Sequence, residues 1–239
     1  MNLAITTIIN GKEIPRAHVL EWERRRALIV LKKLRVKPAS RDLAVMRQQL
    51  AERKQELGTE GMLKMLRREL TVADTIAVLV ARFSTGARRF SVTELVASNG
   101  SADQFVGWFT ERARINDERA FVAGTPDHYV IQTATDGSQD VVETNGGSPL
   151  VARFSIDYED LSSLRSPADP AYPLQIAGVA RSANGAALGG VRHQFRNEGK
   201  GFRARLLVEF PLLILPQTVS GHQWHLASEF GNWIEAAFR

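Results

Sequence analysis

The sequence predicts an α+β protein, with a helical N-terminal segment over residues 1–87 and a second unit over residues 88–239. In that second unit an antiparallel sheet wraps one long C-terminal helix in a helix-grip arrangement. Three observations carry this reading. Apolar residues recur at helical spacing between residues 15 and 84, short strand-like runs follow from Asp127, and an apolar helical stripe closes the chain over 222–238. With 239 residues, 44% hydrophobic and 24% charged, the chain has material for a core and for one to two domains.

Taken in order, Pro15 suits the first turn of a helix running through Trp22, Leu28, Leu31 and Leu34 to a break at Pro38. Ser40 is placed to cap a second helix, with Leu43, Met46, Leu50 and Leu57 near heptad spacing and Gly58 as its stop. Thr59 and Thr71 can cap two more short helices. Residues 88–98 read as a strand or a strand-turn piece. Ser101 to Gln104 forms a capping box opening a helix through Phe105, Trp108 and Phe109.

The runs HYVIQTA and QDVVETN flank Asp136-Gly137, a strong hairpin signal, and LVARFSIDY gives a third strand. A loop with Pro167, Pro170 and Pro173 leads into PLQIAGVARS, ALGGVRHQFRN and GFRARLLVEF, with turns at Asn184-Gly185 and 198–201. A second capping box, Ser220 to Gln223, is expected to open the last helix, with Ala227, Phe230, Ile234 and Ala237 on one face.

Several function classes are excluded by composition. Without cysteine there is no disulfide, thiolate nucleophile or cysteine-ligated metal. No apolar run reaches the ~18 residues that would span a membrane, and there is no phosphate-binding glycine loop or G-x-S-x-G elbow. The first ten residues lack a basic start, a full apolar stretch and a cleavage site, so the expected location is cytoplasmic. The net charge of +5 is uneven: sixteen Lys and Arg against nine Asp and Glu before residue 76, fifteen against seventeen after it. No groove-reading motif accompanies the basic half, so neither nucleic acid nor a membrane is expected as partner. The N-terminal apolar stripes exceed what one short helix can bury, which predicts a homodimer.

Four of the five histidines lie in the β-rich half. His225 and Glu229 are four apart on the terminal helix, on one face and one turn apart. His128 and Glu143 flank the Asp136-Gly137 turn on the two arms of one hairpin. Two imidazoles and two carboxylates from sheet and helix can converge on one divalent metal. Nitrogen and oxygen donors suit Zn²⁺, with Mn²⁺ and Fe²⁺ as alternatives. His193, in the middle of ALGGVRHQFRN, is a candidate for the same cavity, whereas its neighbours Arg192 and Arg196 are expected to face solvent. His18 is read as a surface residue. Phe154, Phe195, Phe202, Leu207 and Trp224 are candidates to wall the pocket, with plain core packing as the alternative for each.

The segments SADQFVGWF, PDHYVI, VVETNGGSP, VRHQFR, GFRAR and HLASEFGNWI, in that order over residues 101–239, resemble the zinc-dependent 2,4-diacetylphloroglucinol and phloretin hydrolases. The resemblance implies a START/Bet v 1-like helix-grip fold behind an N-terminal helical segment. It implies His128, Glu143, His225 and Glu229 as zinc ligands, His193 as the catalytic residue that handles a proton, and Asn232 as the asparagine following the last ligands. The implied activity is hydrolysis of a C–C bond next to a carbonyl in a small aromatic or ketonic substrate. The family holds its phenolic ring with tyrosines and an asparagine, and Ile131 stands where that asparagine is expected. The competing expectation is a non-catalytic helix-grip protein that binds an apolar small molecule and needs no metal.

Overall fold

The computed structural model describes residues 3–239. The first strands are β1 (Ile5–Ile9) and β2 (Lys12–Ile14), followed by helices α1 (Arg16–Lys33) and α2 (Leu43–Phe83). Then come β3 (Arg88–Ala97), α3 (Ala102–Arg114), α4 (Glu118–Val122), β4 (His128–Thr133), β5 (Gln139–Glu143) and β6 (Ala152–Asp157). The chain ends with β7 (Leu174–Arg181), β8 (Ala187–Glu198), β9 (Gly201–Pro211) and α5 (Pro216–Ala237). The described strands form one nine-stranded sheet in the order β2-β1-β3-β9-β8-β7-β6-β5-β4, antiparallel throughout. With α5 packed against it, this is an α+β arrangement compatible with a helix grip.

The expectations for the N-terminal segment need correction at four places. Residues 5–14 form a hairpin that joins the sheet beside β3. Its signal is Asn10-Gly11, both at positive φ (51° and 74°), which is the two-residue turn that matches strand twist. The cap of α2 is Asp42, whose carboxylate accepts from the amides of Ala44 and Val45; Ser40 accepts from Asp42 instead. Gly58 (φ 58°, ψ 179°) kinks α2 between two helical stretches. Thr71 starts nothing: its hydroxyl donates to the Arg67 carbonyl within a continuing helix. At the other end, α5 starts at Pro216, so Ser220 and Gln223 lie inside it and make no capping box. Proline at the first helical position already starts the turn there.

Two cores flank the β4–β5 hairpin. On the inner face Ile131 and Val141 join Phe105, Phe195, Phe202, Leu206 and Phe230. Phe105 of α3 stands at the centre, 5.4 Å from Phe195 and 5.8 Å from Phe202 between ring centroids. On the outer face Tyr129, Val130 and Val142 pack under Val30, Leu31, Met46, Leu50, Met62 and Leu66 of α1 and α2. Burial on both faces explains why HYVI and VV read as continuous apolar runs. Each of the large side chains contributes ~1.5–3 kcal/mol by leaving water.

The proline-bearing loop before β7 covers the outer face of β8 and β9. Glu209 there accepts from the amides of Arg165 and Ser166. Arg192 does point away from α5, but this loop buries it, against Gln175 and Ser166. Arg196 on the same face lies over the Tyr172 ring, 4.7 Å from its centroid. His18 is exposed, as expected.

Candidate metal centre

His128 owes its position to a register shift. In β4 simple alternation from Ile131 would turn Tyr129 inward and His128 outward. The ladder slips between His128 and Val130, so His128 faces inward directly opposite Glu143. Its Nδ1 lies 3.0 Å from the Phe121 carbonyl, so Nδ1 carries the proton and Nε2 presents a lone pair.

From the other side α5 presents His225 and Glu229. Its approach to the hairpin depends on two glycines. The single helical turn Asn145–Gly147 follows Glu143, and Gly146, at φ 56°, meets Gly221 of α5 backbone to backbone. A Cβ on either would overlap the other's main chain.

His128, Glu143 and His225 bring their ligand atoms together, with Glu229 beside the two imidazoles. His128 Nε2 is 3.2 Å from His225 Nε2, 3.4 Å from Glu143 Oε2 and 3.3 Å from Glu229 Oε1. His225 Nε2 is 3.6 Å from Glu143 Oε2 and 3.9 Å from Glu229 Oε2. Four ligands ~2.0–2.1 Å from a shared centre would be ~3.3 Å apart in a tetrahedron, so most of these edges fit. The buried Glu143 and partly buried Glu229 carboxylates beside two imidazoles concentrate negative charge that a dication neutralises. The buried group His128, Glu143 and His225 can therefore hold a metal ion, and Glu229 lies next to it, 3.3 Å from His128 Nε2.

Burial works against charge on both His225 and Glu143, yet each holds the other ionised: His225 is raised well above the usual histidine range, Glu143 lowered below the carboxylate range. His222 is not a fifth member. Its ring stacks on His225 at 5.1 Å, its Nδ1 lies 3.3 Å from Ser91 Oγ, and burial together with neighbouring His225 pushes its pKa down to about 3.

Glu143, His225 and Glu229 lie in the wall of a mostly apolar cavity of about 220 Å³ between the sheet and α5, and His128 sits behind them. His193 also lines it, edge-on to Phe230 at 4.7 Å, with Nδ1 buried and unpartnered. Burial pushes the His193 pKa down to about 3, so it is neutral at pH 7. Of the five expected wall residues only Phe154 lines the cavity. Phe195 and Phe202 are taken up by the Phe105 cluster, Leu207 lies on the outer face of β9, and Trp224 is outside the lining.

Two polar residues in the wall were missed. Tyr158 donates to Gln139 Oε1 at 2.6 Å, leaving Gln139 Nε2 buried and unpartnered. Both were legible in principle: Gln139, Val141 and Glu143 alternate on one face of β5, as Phe154 and Ile156 do along β6, with Tyr158 next in that alternation just past the strand. Asn232 makes four side-chain hydrogen bonds. Its amide joins Arg16, Arg47, Glu23 and the Gly124 carbonyl, fastening α5 to the N-terminal helices.

No protein-family model, curated protein or solved structure matches the chain. Among the described residues no helix is long and apolar enough to cross a membrane.

Proposed function

We propose that this protein is a zinc-dependent hydrolase that cleaves a C–C bond next to a carbonyl in an aryl ketone or related polyketide-like substrate. The observation that carries the reading is the His128, Glu143 and His225 group with Glu229 beside it, at the wall of an apolar cavity that His193, its Nδ1 unpartnered, also lines. The motif order shared with the phloroglucinol and phloretin hydrolases supports the same assignment. His128, Glu143, His225 and Glu229 would hold zinc, or Mn²⁺ or Fe²⁺ in its place; the metal would supply Lewis acidity, and zinc would bring the pKa of water near ~7.

The chain's own residues do the rest. His193 enters neutral, accepts a proton from water as that water adds to the carbonyl carbon, and returns it to the carbon that leaves. The C–C bond breaks, and the products are a carboxylic acid and the shortened arene. Phe154, Ile156 and Phe230 exclude bulk water. The free N–H of Gln139, with its carbonyl held by Tyr158, binds a substrate oxygen remote from the reacting carbonyl.

The protein acts as a homodimer in this reading. Val72, Ile76, Leu79 and Phe83 recur at four-three-four spacing along α2 and are 46–67% exposed. That is the spacing of a helix–helix seam. Ile76 also borders the cavity, so a second copy docked there would cover its mouth.

The test is incubation of zinc-loaded protein with phloretin or 2,4-diacetylphloroglucinol, following the acid product by chromatography. Turnover that requires zinc and His193 supports the reading. Apolar ligand binding without metal or turnover gives the alternative, a non-catalytic helix-grip binder.

A further inference from the structure

A second cavity, of about 510 Å³, lies between the first half of α2 and α4 and shares no lining residue with the metal cavity. Lys54 reaches it from α2 and is almost wholly buried. Its ammonium donates to the Pro126 carbonyl at 3.0 Å, and it pairs with no carboxylate of the described residues. An ammonium has three donors, so two are left over.

The nearby carboxylates are already engaged. Both Asp127 oxygens take the Arg26 guanidinium, at 2.6 and 2.8 Å. Glu23 takes Arg47 at 2.6 and 2.7 Å, and Glu118 accepts from Gln132 at 3.1 Å. Thr125 in the same wall has a buried hydroxyl with no partner. A buried cation without a counterion is costly, and unpartnered donors beside it point to a missing acceptor.

We propose that this cavity is a binding site for an organic monoanion: a carboxylate, carried on an apolar body, that accepts from Lys54 Nζ and Thr125 Oγ1. The charge favours a monoanion. With Lys54 protonated, as a bound anion would favour, Lys54, Arg47 and Arg119 face Glu23 and Glu118, leaving one positive charge in excess, too little for a phosphate dianion. The body of the ligand rests on Leu50, Val122 and the Tyr129 ring, whose centroid is 5.9 Å from Lys54 Nζ. The site is independent of the metal centre and stands whether or not the protein is a hydrolase.

Calorimetric titration of the full chain with benzoate, benzamide and inorganic phosphate tests it. Benzoate is expected to bind saturably, one per chain, at least ten-fold more tightly than either control. Lys54→Gln should weaken benzoate at least ten-fold and Thr125→Val several-fold, with Glu229→Gln leaving it unchanged. The last variant separates this cavity from a carboxylate on the metal, and Thr125→Val serves if Lys54→Gln does not fold. Benzoate bound no better than benzamide or phosphate, no saturation by ~10 mM, or binding lost in Glu229→Gln rather than in the cavity variants would overturn the proposal.

Discussion

His128 Nε2 and His225 Nε2 lie 3.2 Å apart although 97 residues separate them in the chain. Two imidazole lone pairs do not meet buried at that distance without something between them: a proton or a metal. Glu143 and Glu229 within 4 Å of the same nitrogens supply the charge that favours a dication.

His193 takes no part in that cluster, so its replacement separates chemistry from metal binding. His193→Ala is expected to retain the zinc content of wild type and lose ~10²–10⁴-fold in kcat. Metal analysis beside steady-state kinetics checks it. Loss of zinc in this variant would make His193 a ligand and remove one of the other four.

Gln139→Leu removes the free N–H from the cavity wall and keeps the volume close. The expected result is a KM for phloretin raised ~10-fold with kcat changed far less, because the contact is remote from the reacting carbonyl. An unchanged KM would leave Gln139 as a structural partner of Tyr158 alone.

The Gly146–Gly221 contact sets how close α5 comes to Glu143. Gly221→Ala puts a methyl group into the Gly146 carbonyl and is expected to cost about 3 kcal/mol or more in stability and lower metal affinity with it. Gly137→Ala is the comparison: nothing surrounds that Cβ, and only the backbone at φ 85° resists it, at ~1–2 kcal/mol. Thermal melts with and without zinc distinguish the two. Equal effects would mean that the close approach of α5 is not what holds the site.

Lys54 makes stability depend on pH. Burial lowers its folded pKa to about 7, against ~10.4 in an unfolded chain. Below pH 7 both states are protonated and the burial penalty is felt in full. Between the two values the unfolded chain binds more protons, so stability rises with pH until the penalty is gone above ~10.4. Lys54→Met is expected to melt ~5 °C or more above wild type at pH 6.5, the gap closing as pH rises to 10. A constant gap would mean that Lys54 is not desolvated.

Much of this arrangement was legible in residue order. Asp136-Gly137 announced the hairpin, and with it the pairing of His128 with Glu143; the helical spacing of His225 and Glu229 announced the other half. The bulge that turns His128 inward was not, because His128, Tyr129 and Val130 carry no local mark of a register slip. Which of the candidate wall residues would be core was not legible for a related reason. Phe195 and Phe202 are inward-facing, but packing against Phe105 from α3 removes them from the cavity, and the sequence does not say where α3 docks. Arg192 was expected in solvent because alternation assigns a face, not what covers it.

The exposed stripe of α2 leads to a prediction on assembly. Sedimentation is expected to give a dimer, and Leu79→Glu with Phe83→Glu a folded monomer, since burying two carboxylates in the seam is unfavourable. A wild type that stays monomeric at high concentration contradicts the dimer.

The central claim is tested most directly by the number of metal ions per chain. Purified wild type, loaded with zinc and dialysed at pH 7.5, should hold one equivalent. Glu229→Gln, which removes an anionic ligand and hardly alters volume, should hold much less while its circular dichroism stays unchanged. Wild type without zinc after loading at millimolar concentration, or Glu229→Gln with a full equivalent, would contradict the four-ligand site.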